Sequence, residues 1–137
     1  MKDCKGKIAK LLTDYFDQDY RRMTHALEVL KHSERLAEQT DPCDHEVVVA
    51  SALLHDVGIK KSEELLGYDD HKAQEEYGPS IAEKLLGSIG FPHEKTRKVC
   101  EIIGNHHSRS RYDYVELKIL KEADRIVNSA EKDRKGG

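Results

Sequence analysis

The sequence predicts an all-α protein in which a single domain forms a bundle of about six or seven helices. Apolar residues recur at three- and four-residue intervals in successive segments, and Pro and Gly residues fall at their ends. No stretch shows β-strand alternation, an internal repeat or a glycine-rich phosphate loop. A length of 137 residues suits one domain. We therefore assign residues 1–130 to the helical domain and the polar residues 131–137 to a frayed C-terminal tail.

The first two predicted helices cover residues of about 5–16 and about 19–39. In the second helix, one predicted face is apolar: Met23, Ala26, Leu27, Leu30 and Ala37. His25 lies on the stripe beside this face and therefore borders the predicted core. His32, one heptad later, is assigned to the surface.

The third predicted helix begins at Asp41-Pro42, with Asp41 as the capping residue and Pro42 in the first turn. Its apolar residues lead directly into His55 and Asp56, so helical spacing aims His55 inward at the last turn. Gly58 is expected to take a positive φ that ends the helix sharply. This turn would leave the His-Asp pair at the mouth of the bundle.

The remaining segments are predicted from their breakers and periodicity. The charged stretch 59–77 is expected to form a short helix followed by a loop that covers the site, and Pro79 to open the next helix. Pro92 is expected to start a helix whose buried face carries His106 inward. The last helix, from about residue 114 to 130, carries Asp124 on its apolar stripe.

Composition excludes several classes of function. With 23 basic and 26 acidic residues, the net charge of −3 gives no broad basic surface, which disfavours sequence-independent nucleic-acid binding. Cys4, Cys43 and Cys100 are far apart and odd in number, so they indicate neither a disulfide framework nor a zinc knuckle. Their pattern and the lack of an apolar run of ~20 residues predict a cytoplasmic protein that does not enter the membrane.

Metal-ligand residue types occur in four separate helical segments. Each of these groups lies beside, follows or interrupts an apolar face: His25, His55-Asp56, the pair His106-His107 and Asp124. Any one of them alone is commonly a hydrogen-bonded core or helix-end residue. A carboxylate at position 124, however, would cost several kcal/mol to bury without a partner. The set therefore predicts that these groups meet.

The pattern His25, His55-Asp56 and Asp124 resembles the H…HD…D signature of the HD superfamily of metal-dependent phosphohydrolases. The resemblance covers roughly residues 21–128 and includes four motifs: Ala-Leu-Leu-His55-Asp56-Val-Gly, Gly78-Pro-Ser-Ile-Ala, Ile-Ile-Gly-Asn-His106-His107 and Glu122-Ala-Asp124. It implies an HD-type helical bundle with His25, His55, Asp56 and Asp124 as metal ligands. Two imidazoles and two carboxylates suit Mn²⁺, Fe²⁺, Co²⁺, Ni²⁺ or Zn²⁺ better than Mg²⁺.

The resemblance implies hydrolysis of a phosphate ester, either a nucleotide or another small phosphorylated metabolite, by a water that the metal activates. Asp56 and His106 are the expected catalytic residues, with Asp56 assisting the water. His71, His106 and His107 are candidates for a second metal or a phosphate contact. Because Gln74 stands where two-metal relatives commonly have a histidine, we expect one tightly held ion per chain.

Five further residues are candidate substrate contacts: Arg22, Lys60, Lys61, Gln74 and Arg109. Solvated surface charge is the ordinary alternative for the basic ones. Two other functions remain open at this point. The chain could be a catalytically silent HD module that senses a nucleotide, or a helical scaffold in which Asp124 pairs only with protein groups. The expected partner is a small phosphorylated substrate, and a homodimer is compatible with the sequence.

Overall fold

A computed structural model describes residues 4–109 and 111–136, and within them it contains seven helices and no strand. The helices are α1 (Cys4–Phe16), α2 (Tyr20–Glu38), α3 (His45–Leu54), α4 (Ile59–Leu66), α5 (His71–Ser88), α6 (His93–Ile103) and α7 (Val115–Gly136). The all-α class predicted from the sequence is therefore confirmed. None of the described helices combines the length and apolar character needed to span a membrane.

The short helix α3 is the centre of the bundle. Every residue from 47 to 54 is buried, and α1, α2, α6 and α7 pack around it. A helix that is apolar on all sides is expected in such a position because it has no face to offer to water. One core prediction is wrong: Leu27 is 50% exposed because α2 turns that side to solvent.

The start of α3 differs from the prediction by one short turn. Asp44, and not Asp41, caps the helix, because its carboxylate accepts hydrogen bonds from the backbone N–H groups of Glu46 and Val47. The Asp41–Pro42 peptide is cis and lies in the turn before the helix. The capping carboxylate, together with the first apolar residue at Val47, sets the boundary.

The region that covers the site is more helical than predicted. α4 is the expected short helix, and Gly67 ends it with a φ of +79°. The loop that follows is short, because the Asp70 side chain accepts a hydrogen bond from the N–H of Ala73 and starts α5 at His71. Pro79 therefore lies inside α5 and does not open a helix.

Gly58 is required for a reason other than the predicted one. Its φ is −73°, so no left-handed conformation is involved. A Cβ atom at this position would lie 2.6 Å from the carbonyl oxygen of Gln74 and 3.0 Å from the backbone nitrogen of Gly78. The turn between α3 and α4 therefore packs directly on the backbone of α5, and this contact fixes the residues just before Gly58.

The C-terminal helix is longer than the periodicity indicates. α7 continues to Gly136, so residues 131–136 extend the helix where the sequence predicts a frayed tail. Gly137 lies outside the described residues. This extension has a consequence for the site, since it brings Glu131 next to His25.

Candidate metal centre

The structure brings the four predicted metal ligands to one point. α2 supplies His25, the turn after α3 supplies His55 and Asp56, and α7 supplies Asp124. The Nε2 atom of His55 lies 3.2 Å from Oδ2 of Asp56 and 3.3 Å from Oδ1 of Asp124. The Nε2 atom of His25 lies 3.1 Å from the same Asp124 oxygen and 3.4 Å from Oδ2 of Asp56. His106 joins the cluster, with Nε2 at 3.7 Å from Oδ1 of Asp56.

The buried imidazoles of His55 and His106 are oriented by backbone carbonyls. Nδ1 of His55 lies 2.8 Å from the carbonyl oxygen of Ala52, and Nδ1 of His106 lies 2.5 Å from that of Ile103. A carbonyl oxygen can only accept, so each Nδ1 must carry the proton and donate it. In the neutral ring, Nε2 is then a bare lone pair. Both Nε2 atoms are buried without a hydrogen-bond partner among the described residues.

Lone pairs on histidine nitrogens therefore face carboxylate oxygens, and this arrangement requires a cation or protons between them. Without an ion, protons take this place. Burial opposes a charge on His55, yet the carboxylates of Asp56 and Asp124 raise its pKa well above the usual range. Burial also opposes a charge on His25, and its hydrogen bond to Asp124 raises its pKa. The donor set of imidazole nitrogens and carboxylate oxygens fits a divalent transition metal.

A second group of potential ligands shares Asp56 with the first. Ligand atoms of Asp56, His106 and His107 lie within 4.8 Å of one another. Burial lowers the pKa of His107 to about 3, with the rings of His106 and His71 contributing, so His107 is neutral at pH 7. Its Nε2 donates to the Gln74 amide oxygen at 2.8 Å, which leaves Nδ1 as a lone pair.

Two side chains hold the turns that carry these ligands. Glu75 of α5 accepts hydrogen bonds from the backbone N–H groups of His107 and Ser108, each at 3.0 Å. The hydroxyl of Tyr15 in α1 donates to the carbonyl oxygen of Val57 at 2.8 Å, directly after the His-Asp pair. Irregular turns leave backbone N–H and C=O groups without partners. These hydrogen bonds supply the partners and thereby fix the turns that carry the histidine and aspartate side chains.

Three of the four predicted ligands, His25, Asp56 and Asp124, line a cavity of about 550 Å³ between α2, α5 and α7, whereas the buried His55 does not. The cavity is lined by Tyr20, Arg21, Arg22, Thr24, His25, Glu28, Asp56, Ile59, Asp69, His71, Gln74, His107, Asp124, Asn128, Glu131 and Arg134. Three arginines thus line the cavity together with acidic side chains and histidines. Such a concave site with convergent polar groups is the usual form of a small-molecule site.

Comparison with protein families matches residues 22–129 to the model of the HD domain. The chain belongs to the HD-domain family. Among solved structures, the HD domain is similar to a predicted HD superfamily hydrolase from an uncultured Thermotogales bacterium, with 27% sequence identity and a TM-score of 0.67. The similarity covers 88% of this chain, which spans 66% of the length of that protein. A comparison with curated proteins finds no match.

The predicted substrate contacts of this HD domain divide into two groups. Arg22 and Gln74 line the cavity, but Lys60, Lys61 and Arg109 do not. His71, a predicted ligand of a second metal or of phosphate, also lines it. Lys60 instead turns towards α1, where its ammonium lies 5.4 Å from the ring centroid of Tyr15.

The three that do line the cavity are already engaged with protein groups. The guanidinium of Arg22 lies 2.7 Å from Asp19 and 2.9 Å from Glu63. Gln74 is buried between Asp69 and His107 and bonds to both. His71 stacks on His107 with the ring centroids 3.8 Å apart, so it is ordered at the start of α5 and does not belong to a loop.

The sequence prediction missed the part of the cavity that α7 contributes. Asn128, Glu131 and Arg134 follow Asp124 at intervals of four, three and three residues, so they lie on the same helical stripe. This spacing could have revealed the stripe, but the predicted last helix ended at about residue 130, before Glu131 and Arg134. Arg21, an exposed neighbour of Arg22, also lines the cavity and makes no ion pair within the described part of the chain.

Proposed function

We propose that this HD domain hydrolyses the phosphate ester of a nucleotide or another small phosphorylated metabolite with the help of one divalent metal ion. The ligands would be His25, His55, Asp56 and Asp124. An ion held there would supply Lewis-acid chemistry, in that it polarises a phosphoryl oxygen and acidifies water. Mn²⁺, Fe²⁺, Co²⁺, Ni²⁺ and Zn²⁺ suit these ligands best.

One observation carries this proposal: imidazole nitrogens and carboxylate oxygens converge beside an open cavity, in an arrangement that needs an ion or bound protons between them. The Nε2 atoms of His55 and His106 are buried and bond to nothing among the described residues, although carboxylates stand next to them. A purely structural cluster would pair donors with acceptors, because unsatisfied buried polar groups cost about 1–3 kcal/mol each. The cavity next to these groups is large enough for a substrate of small-molecule size.

We assign Asp56 to both metal binding and proton transfer, and the contacts of its two oxygens support this assignment. Its Oδ2 atom faces His25 and His55, whereas its Oδ1 atom faces His106. A carboxylate in this position can orient a water for attack on phosphorus and accept its proton, and His106 offers its Nε2 lone pair to the same region. Arg21 at the cavity mouth would attract the phosphate, since a guanidinium binds phosphate oxygens through charge-assisted hydrogen bonds.

The test is a metal analysis of the purified protein followed by an activity panel. The metal-free protein would be loaded with each of the five ions and offered nucleoside monophosphates, diphosphates and triphosphates, sugar phosphates and a generic aryl phosphate. We expect phosphate release that depends on the metal and stops on chelation. If the loaded protein binds nucleotides at micromolar concentration but releases neither phosphate nor nucleoside, the catalytically silent sensor module replaces this proposal.

A further inference from the structure

We infer that Glu131 is a positioning residue of the metal centre, because its carboxylate holds the outer face of the His25 imidazole. Both oxygens of Glu131 lie near Nδ1 of His25, at 3.0 and 3.2 Å. The inner nitrogen, Nε2, faces the carboxylates of Asp124 and Asp56 at 3.1 and 3.4 Å. The inference rests on the proposed metal site, and it adds a residue that contacts no ion itself.

His25 differs from the other two inward-facing histidines, because a side chain and not a backbone carbonyl holds its outer nitrogen. His55 and His106 follow the ends of α3 and α6, where helix carbonyls have no intrahelical partner, and each ring donates to the carbonyl three residues before it. His25 lies inside α2, where the carbonyls are occupied by the helix ladder. A side chain from another helix takes the place of the carbonyl here, since the Glu131 carboxylate lies next to Nδ1 and can accept its proton.

The geometry of α7 makes Glu131 and Asp124 act on the same ring. They are seven residues apart, about two helical turns, and therefore share one stripe of the helix. Asp124 contacts Nε2 and Glu131 contacts Nδ1 of His25. One turn further along both helices, Arg134 lies 3.3 Å from Glu28 and ties the end of α7 to α2.

The expected effect follows from the two tautomers of a neutral imidazole. When Nδ1 donates its proton to Glu131, Nε2 is a lone pair that points at the other ligands. Without this carboxylate, the Nε2–H tautomer and other ring orientations compete with the binding form. Removal of such an outer partner of a metal-binding histidine typically weakens metal binding about 10-fold to 100-fold.

The experiment measures Zn²⁺ affinity of the full chain by competition with a chromophoric chelator, in wild type and three variants. We expect Glu131→Ala to bind Zn²⁺ about 10-fold to 100-fold more weakly. Glu131→Gln keeps an oxygen acceptor and should recover most of this loss. The matched control is Asp133→Ala, which removes a carboxylate from the same turn of α7 at an exposed position that does not line the cavity. It should bind Zn²⁺ as wild type does.

The second measurement is a long-range ¹H–¹⁵N spectrum of the Zn²⁺-loaded proteins, which identifies the protonated nitrogen of each histidine. The Nδ1 proton of His25 should be protected from solvent exchange in wild type and in Glu131→Gln and exchange rapidly in Glu131→Ala. Unchanged Zn²⁺ affinity and an unchanged His25 signal in Glu131→Ala would overturn the inference and leave the proposed function standing. Absence of Zn²⁺ binding in wild type would overturn both, whereas Zn²⁺ binding without phosphate release would overturn only the proposed activity.

Discussion

Replacement of Gly58 by Ala is predicted to destabilise the protein by about 2 kcal/mol. The new methyl group would meet backbone atoms at 2.6, 2.9 and 3.0 Å, and backbone atoms cannot rotate away as a flexible side chain does. Overpacking of this kind costs about 1–3 kcal/mol, and contact with backbone places the cost near the upper end, about 3 kcal/mol. The backbone at Gly58 is α-like, so alanine can adopt it. Alanine also has less conformational freedom than glycine in the unfolded chain, which offsets about 0.4–1 kcal/mol of this cost.

Urea denaturation of the metal-free proteins would measure this difference. The matched control is Gly87→Ala in α5, where a Cβ atom meets nothing within 4 Å and the change should stabilise the helix by about 0.5–1 kcal/mol. Gly58→Ala should also weaken metal binding, because the displaced turn carries His55 and Asp56. A Gly58→Ala protein as stable as wild type would contradict the packing argument.

Two further predictions concern the metal centre. Because the pKa values of His25 and His55 are raised, their stabilisation of the metal-free fold is complete below pH 6.5, their ordinary pKa, and is lost as the pH rises through the raised values. Metal displaces these protons, so calorimetric titrations at pH 6 and 7 should show affinity rising up to about tenfold per pH unit for each displaced proton, and a pH-independent affinity would refute this. His71→Ala should leave the tight ion in place and weaken any second ion bound at excess metal, as equilibrium dialysis would show. If His71→Ala lost both ions equally, His71 would not belong to a separate, weaker second site.

The sequence indicated three of the four proposed ligands through breaks in apolar patterns, whereas His25 was indicated by its position beside an apolar face. His55 and Asp56 end the run that forms the buried helix α3, and Asp124 interrupts the apolar stripe of α7. Burial of such groups needs partners, and this need is visible without coordinates. The residue types then limit the chemistry, since two imidazoles and two carboxylates are the ligands of a divalent transition metal.

The helix boundaries near the site could not be predicted with the same success, because competing local signals were present. Asp41 and Asp44 both suit a helix start, and only the hydrogen bonds of Asp44 decide between them. Pro79 looks like a first-turn residue, yet Asp70 starts the helix earlier. Residues 71–77 are mostly charged or polar, so the sequence did not indicate that Ala73 and Gln74 are buried.

The outer contacts of the site depend on tertiary distances that no local pattern encodes. Glu131 is a polar residue near the chain end, and only the packing of α7 on α2 shows its contact with His25. Lys60 is close to the His-Asp pair in sequence, yet the helical turn after Gly58 sends it towards Tyr15. Proximity in sequence predicted these outer contacts poorly because turns and helix rotation decide where a side chain points.

We propose that four residues from three parts of the chain bind one divalent ion tightly. The most direct test of this proposal is a Mn²⁺ titration of metal-free protein, with stoichiometry and affinity measured for wild type and for single Ala variants of His25, His55 and Asp124. Wild type should bind one tight ion per chain, and each variant should lose it while the far-ultraviolet circular dichroism stays helical. His45→Ala, at the opposite end of α3, should bind as wild type does. Full metal occupancy in any of these three variants, or two equally tight ions in wild type, would contradict the proposed site.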